Sequence, residues 1–187
     1  MAEVWDKSWA KNVPQTFGAG PSDPIRLQDQ PGTWVQVDVA ASIGRLWDIV
    51  TDIDLPARFS DEFLGATWIS EHPGLGASFL GRSRHPSIGE WEVKSFVDFY
   101  KEGQSFGWVT VDRANPGSRW RYDLSPSGEV VQLRYSMSIG PGPSGISLAI
   151  EAMPEQEPRI LRRRILEHHA NMMRTVEGIK AMAEEAE

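Results

Sequence analysis

The sequence predicts an α+β domain: a curved antiparallel sheet of seven strands, closed by one long C-terminal helix, with an apolar cavity between them. Three observations predict it. From Ala66 to Ile139 the strand patterns follow one another with no helical pattern between them, which implies antiparallel pairing. From 157 to 183, Leu161, Ile165, His168, Met172, Val176 and Ile179 recur at spacings of three and four. The only breaker there is Pro158, which a first helical turn tolerates. The dimensions also agree, since a helix of about 27 residues is about 40 Å long and seven strands span about 34 Å. One helix cannot fill a strongly curved sheet, so a cavity is the expected remainder.

Residues 1–32 carry Pro14, Pro21, Pro24 and Pro31 and read as an arm preceding the domain at 33–187. Within the arm, Trp5, Trp9 and Val13 recur at a spacing of four and suggest a short helix over Val4–Val13. Thr33–Val39 alternates, with Val35, Val37 and Val39 on one side and Gln36 and Asp38 on the other, as in a half-buried strand. Ser42 can cap a helix running to about Thr51, with Ile43, Leu46, Trp47 and Val50 on one stripe. A second short helix is expected within Asp52–Phe63. The remaining strands are Ala66–Ser70, Ala77–His85, Glu90–Tyr100, Gln104–Asp112, Ser118–Leu124 and Glu129–Ile139. The turn signals Asn115-Pro116-Gly117 and Ser127-Gly128 separate the last three.

Composition narrows the function classes. The chain has 187 residues, 40% hydrophobic and 24% charged, which suits one domain with a real core. A net charge of −7 argues against nucleic acid or an anionic membrane as partner. With no cysteine there is no disulfide, thiolate nucleophile or cysteine-ligated metal. No apolar run reaches the roughly 20 residues of a membrane span. Met1–Ala10 contains Glu3, Asp6 and Lys7 and no apolar stretch, so a cytoplasmic protein without a signal peptide is expected.

Two glycine motifs invite functional readings and do not support them. Gly140-Pro141-Gly142-Pro143-Ser144-Gly145 fits G-x-G-x-x-G, but Pro141 and Pro143 have no N–H to offer a phosphate, so a rigid loop from the last strand to the long helix is expected. Gly103-Gln104-Ser105-Phe106-Gly107 fits the G-x-S-x-G elbow, yet a strand rather than a helix follows its serine, as in a hairpin turn. His72, His85, His168 and His169 show no metal-ligand spacing, and no metal site or cofactor is expected. His168 stands in the sheet-facing stripe, whereas His169 is expected in solvent. Arg159, Arg162, Arg163 and Arg164 crowd the helix start and read as a solvated charged face, with an anion- or carboxylate-binding mouth as the lesser alternative.

The inward faces supply the candidate site. Strand phase places Trp68, Phe79, Ser83, Trp91, Ser95, Trp108, Thr110, Trp120, Tyr122 and Met137 on the sheet wall, and the helix contributes Met172 and Val176. Such walls favour flat apolar ligands by burial and stacking. Tyr135, His168 and His85 are inward groups able to exchange protons, a neutral histidine as base and a tyrosine as donor to a carbonyl oxygen.

Several stretches then resemble a known group. Residues 37–63 (VDVAASIGRLWDIVTDIDLPARFSDEF), 76–86 (GASFLGRSRHP), 89–93 (GEWEV) and 140–145 (GPGPSG) resemble the actinobacterial polyketide cyclase/dehydrase-like branch of the START-like (SRPBCC) superfamily. That resemblance covers about Trp34–Ala183 and implies the helix-grip fold. It implies a protein that binds a hydrophobic, aromatic or polyketide-like small molecule, in its enzymatic form a cofactor-free cyclase, aromatase or dehydratase. The rival reading is a non-catalytic carrier or sensor of lipid-like ligands. Monomer and homodimer stay equally open.

Overall fold

The computed structural model describes residues 25–185; the helix expected over Val4–Val13 lies outside the described residues. Seven strands form one antiparallel sheet in the order β1-β7-β6-β5-β4-β3-β2. They are β1 (Gly32–Val39), β2 (Phe63–Trp68), β3 (Ser78–His85), β4 (Gly89–Lys101), β5 (Ser105–Thr110), β6 (Ser118–Ser127) and β7 (Val130–Ile139). Every strand expected from the sequence is present. β2 begins and ends earlier than expected, and β6 runs on through Pro126, which faces Val131 of β7. Bulges interrupt the ladders between Phe63 and Gly65 and between Val97 and Phe99, and such irregularities bend a sheet.

Helix α1 (Ile43–Val50) begins where expected, with the Ser42 hydroxyl accepting the Arg45 N–H at 3.2 Å. The second short element is a 3-10 turn, Leu55–Arg58. The connection from β7 to the long helix differs from expectation. It contains an eight-residue helix, α2 (Gly145–Ala152), opened by a capping box in which Ser144 and Ser147 bond each other's backbone N–H groups. Its apolar residues Ile146, Leu148 and Ile150 fall two apart rather than on one helical stripe, and Leu148 is exposed, so periodicity gave no helical signal.

The glycines just before α2 are explained by backbone packing. Gly140 N–H donates to the Gly117 carbonyl at 2.9 Å and Gly142 N–H to the Pro116 carbonyl at 3.0 Å. A Cβ on Gly140 would overlap the Pro116 carbonyl, and one on Gly142 the Asn115 carbonyl. These amides are engaged within the fold and form no phosphate cradle. Gly140→Ala should therefore destabilise the domain by about 2 kcal/mol through forced overpacking, read as a lower urea midpoint. An unchanged midpoint would mean that this seam separates freely.

The long helix α3 spans Glu157–Glu184, 28 residues. Leu161, Ile165, His168, Met172, Val176 and Ile179 are all buried on it, as the stripe requires. It lies mainly along β1 and α1 rather than crossing every strand. The inner faces of β3 to β6 are therefore not covered closely by α3, and the space over them is where a cavity can open. Phe59 sits on Gly178, where any side chain on the helix would strike its ring. That contact and the Arg174–Asp61 ion pair at 2.7 Å hold the segment before β2 against α3.

Candidate functional site

Between α3 and the strands lies a cavity of about 480 Å³. Its sheet wall is an aromatic array. Trp108 and Trp120 are cross-strand partners with nearly parallel rings, 6.3 Å between centroids and 8° between planes. Tyr122 and Tyr135, also cross-strand partners, stack more closely at 4.1 Å and 18°. Phe79 meets Trp108 edge-on at 6.1 Å. Direct pairing on one face brings these side chains together, because residues opposite each other in a ladder share that face.

On the helix side, His168 is 9% exposed and sets its imidazole edge against the Trp120 ring at 5.1 Å, 86° between planes. Tyr135 flanks the same indole at 5.8 Å. Trp120 thus touches both of the groups that the sequence marked for proton exchange. Burial, then the nearby Arg164 guanidinium and His85, push the His168 pKa well below its usual value. Burial raises the pKa of both tyrosines, so their hydroxyls stay protonated. The Tyr122 hydroxyl is buried without a hydrogen-bond partner among the described residues. The stacked rings hold it abreast of the Tyr135 hydroxyl, near enough to influence its titration but without hydrogen-bond geometry.

The structure places the candidate residues as follows. Phe79, Ser83, Trp91, Ser95, Trp108, Thr110, Trp120, Tyr122, Tyr135, Met137, His168 and Met172 line the cavity. Trp68 and Val176 do not. Trp68 stands behind Phe79, edge-on at 5.5 Å, and Val176 is fully buried in the core while its neighbour Thr175 lines the cavity. His85 is not a lining residue either. It ends β3, with Nε2 3.5 Å from Glu167 and Nδ1 accepting the Ser87 N–H. His169, expected in solvent, is half-buried with Nδ1 3.1 Å from the Thr33 hydroxyl.

Sequence reasoning omitted several lining residues. Phe106 shares the inward phase of Trp108 and was legible from it. Ser118 also lines the cavity and satisfies two inward groups, lying 2.9 Å from the Thr110 hydroxyl and accepting the Trp120 indole N–H at 2.8 Å. Arg164, expected in solvent, lines the cavity four residues before His168, with its side chain only 14% exposed. The i, i+4, i+8 series Arg164, His168, Met172 was the signal available for it.

A buried histidine of low pKa sets a pH dependence. The unfolded chain takes up a proton near pH 6.5, whereas folded His168 resists it, so the unfolded state binds more protons below that pH. Stability should therefore fall as pH drops below about 6.5, by up to about 1.4 kcal/mol per pH unit for one such group. Half-buried His169 is lowered too and acts in the same direction. Urea denaturation at pH 7.5 and 5.5 checks this, and His168→Leu should flatten the dependence. An equal slope in that variant would assign the effect elsewhere.

No family model matches this chain, and no curated protein matches it. Solved structures do match. The polyketide-cyclase-like protein Cgl2372 from Corynebacterium glutamicum is 22% identical with a TM-score of 0.60, and the match covers 92% of this chain and 94% of that one. The di-domain aromatase/cyclase StfQ from the steffimycin biosynthetic pathway is 17% identical with a TM-score of 0.62; the match covers 82% of this chain and spans half the length of StfQ. The major latex-like protein 151 from Panax ginseng is 9% identical with a TM-score of 0.52, covering 82% of this chain and 97% of that one. The architecture is the helix-grip fold that polyketide-cyclase-like and Bet v 1-like proteins share, and at these identities the likeness is one of fold. Among the described residues no helix is long and apolar enough to cross a membrane.

Proposed function

We propose that the protein binds a flat, hydrophobic, polyketide-like small molecule in this cavity and acts on a ligand carbonyl by acid–base chemistry. The observation that carries the reading is the stacked aromatic wall flanked by a protonated tyrosine and a neutral histidine. Flat rings gain burial and offset stacking against Trp108 and Trp120. Tyr135 would donate to a carbonyl oxygen, stabilising the negative charge that develops there on enolisation, and His168 would accept the proton removed. Ser83 and Ser95 line the same cavity and would assist in orienting the ligand. The described fold likenesses include a cyclase-like protein and an aromatase/cyclase, which accords with this chemistry.

Titration with polycyclic aromatic compounds should quench the tryptophan fluorescence saturably, because Trp91, Trp108 and Trp120 all line the cavity. Phosphorylated nucleotides should not compete, since the loop before α2 has its amides engaged. Tight nucleotide binding, or no saturable quenching by any aromatic ligand, would overturn the reading. Native mass spectrometry of freshly purified protein identifies any ligand retained from the cell. Saturable binding without turnover would assign a carrier.

A further inference from the structure

The cavity has a charged element that the proposed function leaves unused. Arg164 lines it, one helical turn from His168, and donates through Nη1 to Glu62 Oε2 at 2.7 Å and to Glu167 Oε2 at 3.3 Å. Its Nη2 donates to Glu62 Oε1. Glu167 also accepts from Arg163 Nε at 2.9 Å. Two guanidinium groups thus meet two carboxylates whose charges cancel theirs, with His85 Nε2 at the edge of the cluster, 3.5 Å from Glu167. A guanidinium has five N–H donors, so these three bonds leave the Nε–H and one Nη2–H of Arg164 without a partner among the described residues. The other acidic residues lining the cavity, Asp52 and Glu92, are exposed and add negative charge on its outer side.

We propose that Arg164 is a specificity-determining residue that recognises a neutral oxygen of the ligand, a ketone, quinone or phenol, and disfavours a carboxylate. This rests on the ligand-binding reading above and names the class of ligand. The guanidinium keeps donors for an oxygen, but Glu62 and Glu167 cancel the attraction that would draw in an anion. A carboxylate would enter an apolar cavity as an uncompensated charge, which is strongly unfavourable. A carbonyl oxygen loses little on leaving water and gains a hydrogen bond from a group already held in place by its two carboxylate partners.

Equilibrium dialysis with fluorene, 9-fluorenone and fluorene-9-carboxylate tests this on three proteins. The wild type should bind the ketone about fivefold or more tightly than the hydrocarbon, and the carboxylate most weakly. Glu62→Gln keeps the shape and an oxygen for Arg164 but uncovers its charge. Affinity for the carboxylate relative to the ketone should then rise about tenfold, the advantage of a charge-assisted bond. Glu62→Gln combined with Arg164→Met removes the guanidinium without leaving a buried carboxylate unpaired. Its preference for the ketone over fluorene should fall about fivefold below the wild type's, leaving only the part that Tyr135 supplies, and saturable fluorene binding reports an intact cavity. An unchanged ketone-to-carboxylate ratio in Glu62→Gln, or a ketone-to-fluorene ratio in the double variant equal to the wild type's, would overturn the proposal while leaving the binding site standing. Failure of all three compounds to bind the wild type would instead remove the ligand-binding reading, and this proposal with it.

Discussion

Met172→Asp should leave the domain unfolded at room temperature. Met172 is 1% exposed in the middle of α3, facing the cavity and the hydrophobic core at once. Truncating a buried methionine costs about 2–5 kcal/mol by itself. The aspartate adds the burden of a charge with no cationic partner among its neighbours on the stripe, Ile165, His168, Val176 and Ile179. Domains of this kind are stable by only about 5–15 kcal/mol, so the combined loss exceeds or consumes the margin. Far-ultraviolet circular dichroism should show the loss of helix, and Met172→Leu should restore it. A cooperative thermal transition at the wild-type midpoint in the aspartate variant would contradict the packing of α3 on the sheet.

Tyr135→Phe and His168→Leu should have the largest effects on chemistry. Each keeps the shape of a buried side chain and removes one proton-exchanging group. In a turnover assay each should lower the rate by about 10²–10⁴-fold, the range for a positioned acid or base. In a protein that only carries its ligand, Tyr135→Phe should weaken binding by about 1 kcal/mol, one hydrogen bond. The phenylalanine variant should keep the stacking on Tyr122, so aromatic ligand binding should persist. Full activity and full affinity in both variants would place the chemistry elsewhere in the cavity.

Much of the fold was legible because its signals are local. Alternation marked the inward faces of β4 to β7, and the α3 stripe marked the covering helix. What was not legible depended on where elements end and how they stack. Trp68 has the right residue type, but Phe79 stands between it and the cavity. His85 keeps the strand phase of Ser83 and ends β3, but its ring is engaged by Glu167 and the Ser87 N–H instead of lining the cavity. Arg164 looked like one of four solvated arginines because sequence spacing cannot show that Glu62, 102 residues away, waits opposite it. Helix α2 was hidden because its cap, not its periodicity, makes it.

The pairing of β1 with β7 bears on how the chain acquires this structure. Val35 faces Tyr135, 100 residues further along, so β1 meets its sheet partner β7 only after the five strands between them have been made. During synthesis β2 to β6 can form their hairpins in order, while β1 and its apolar face stay without a partner until residues 130–139 have emerged. The covering helix arrives later still. Non-local pairing of this kind places refolding on the millisecond-to-second scale rather than the microseconds of helical bundles. The same order means that the cavity is closed only when α3 is in place, so a chain without that helix would present its aromatic wall to the solvent and to other chains.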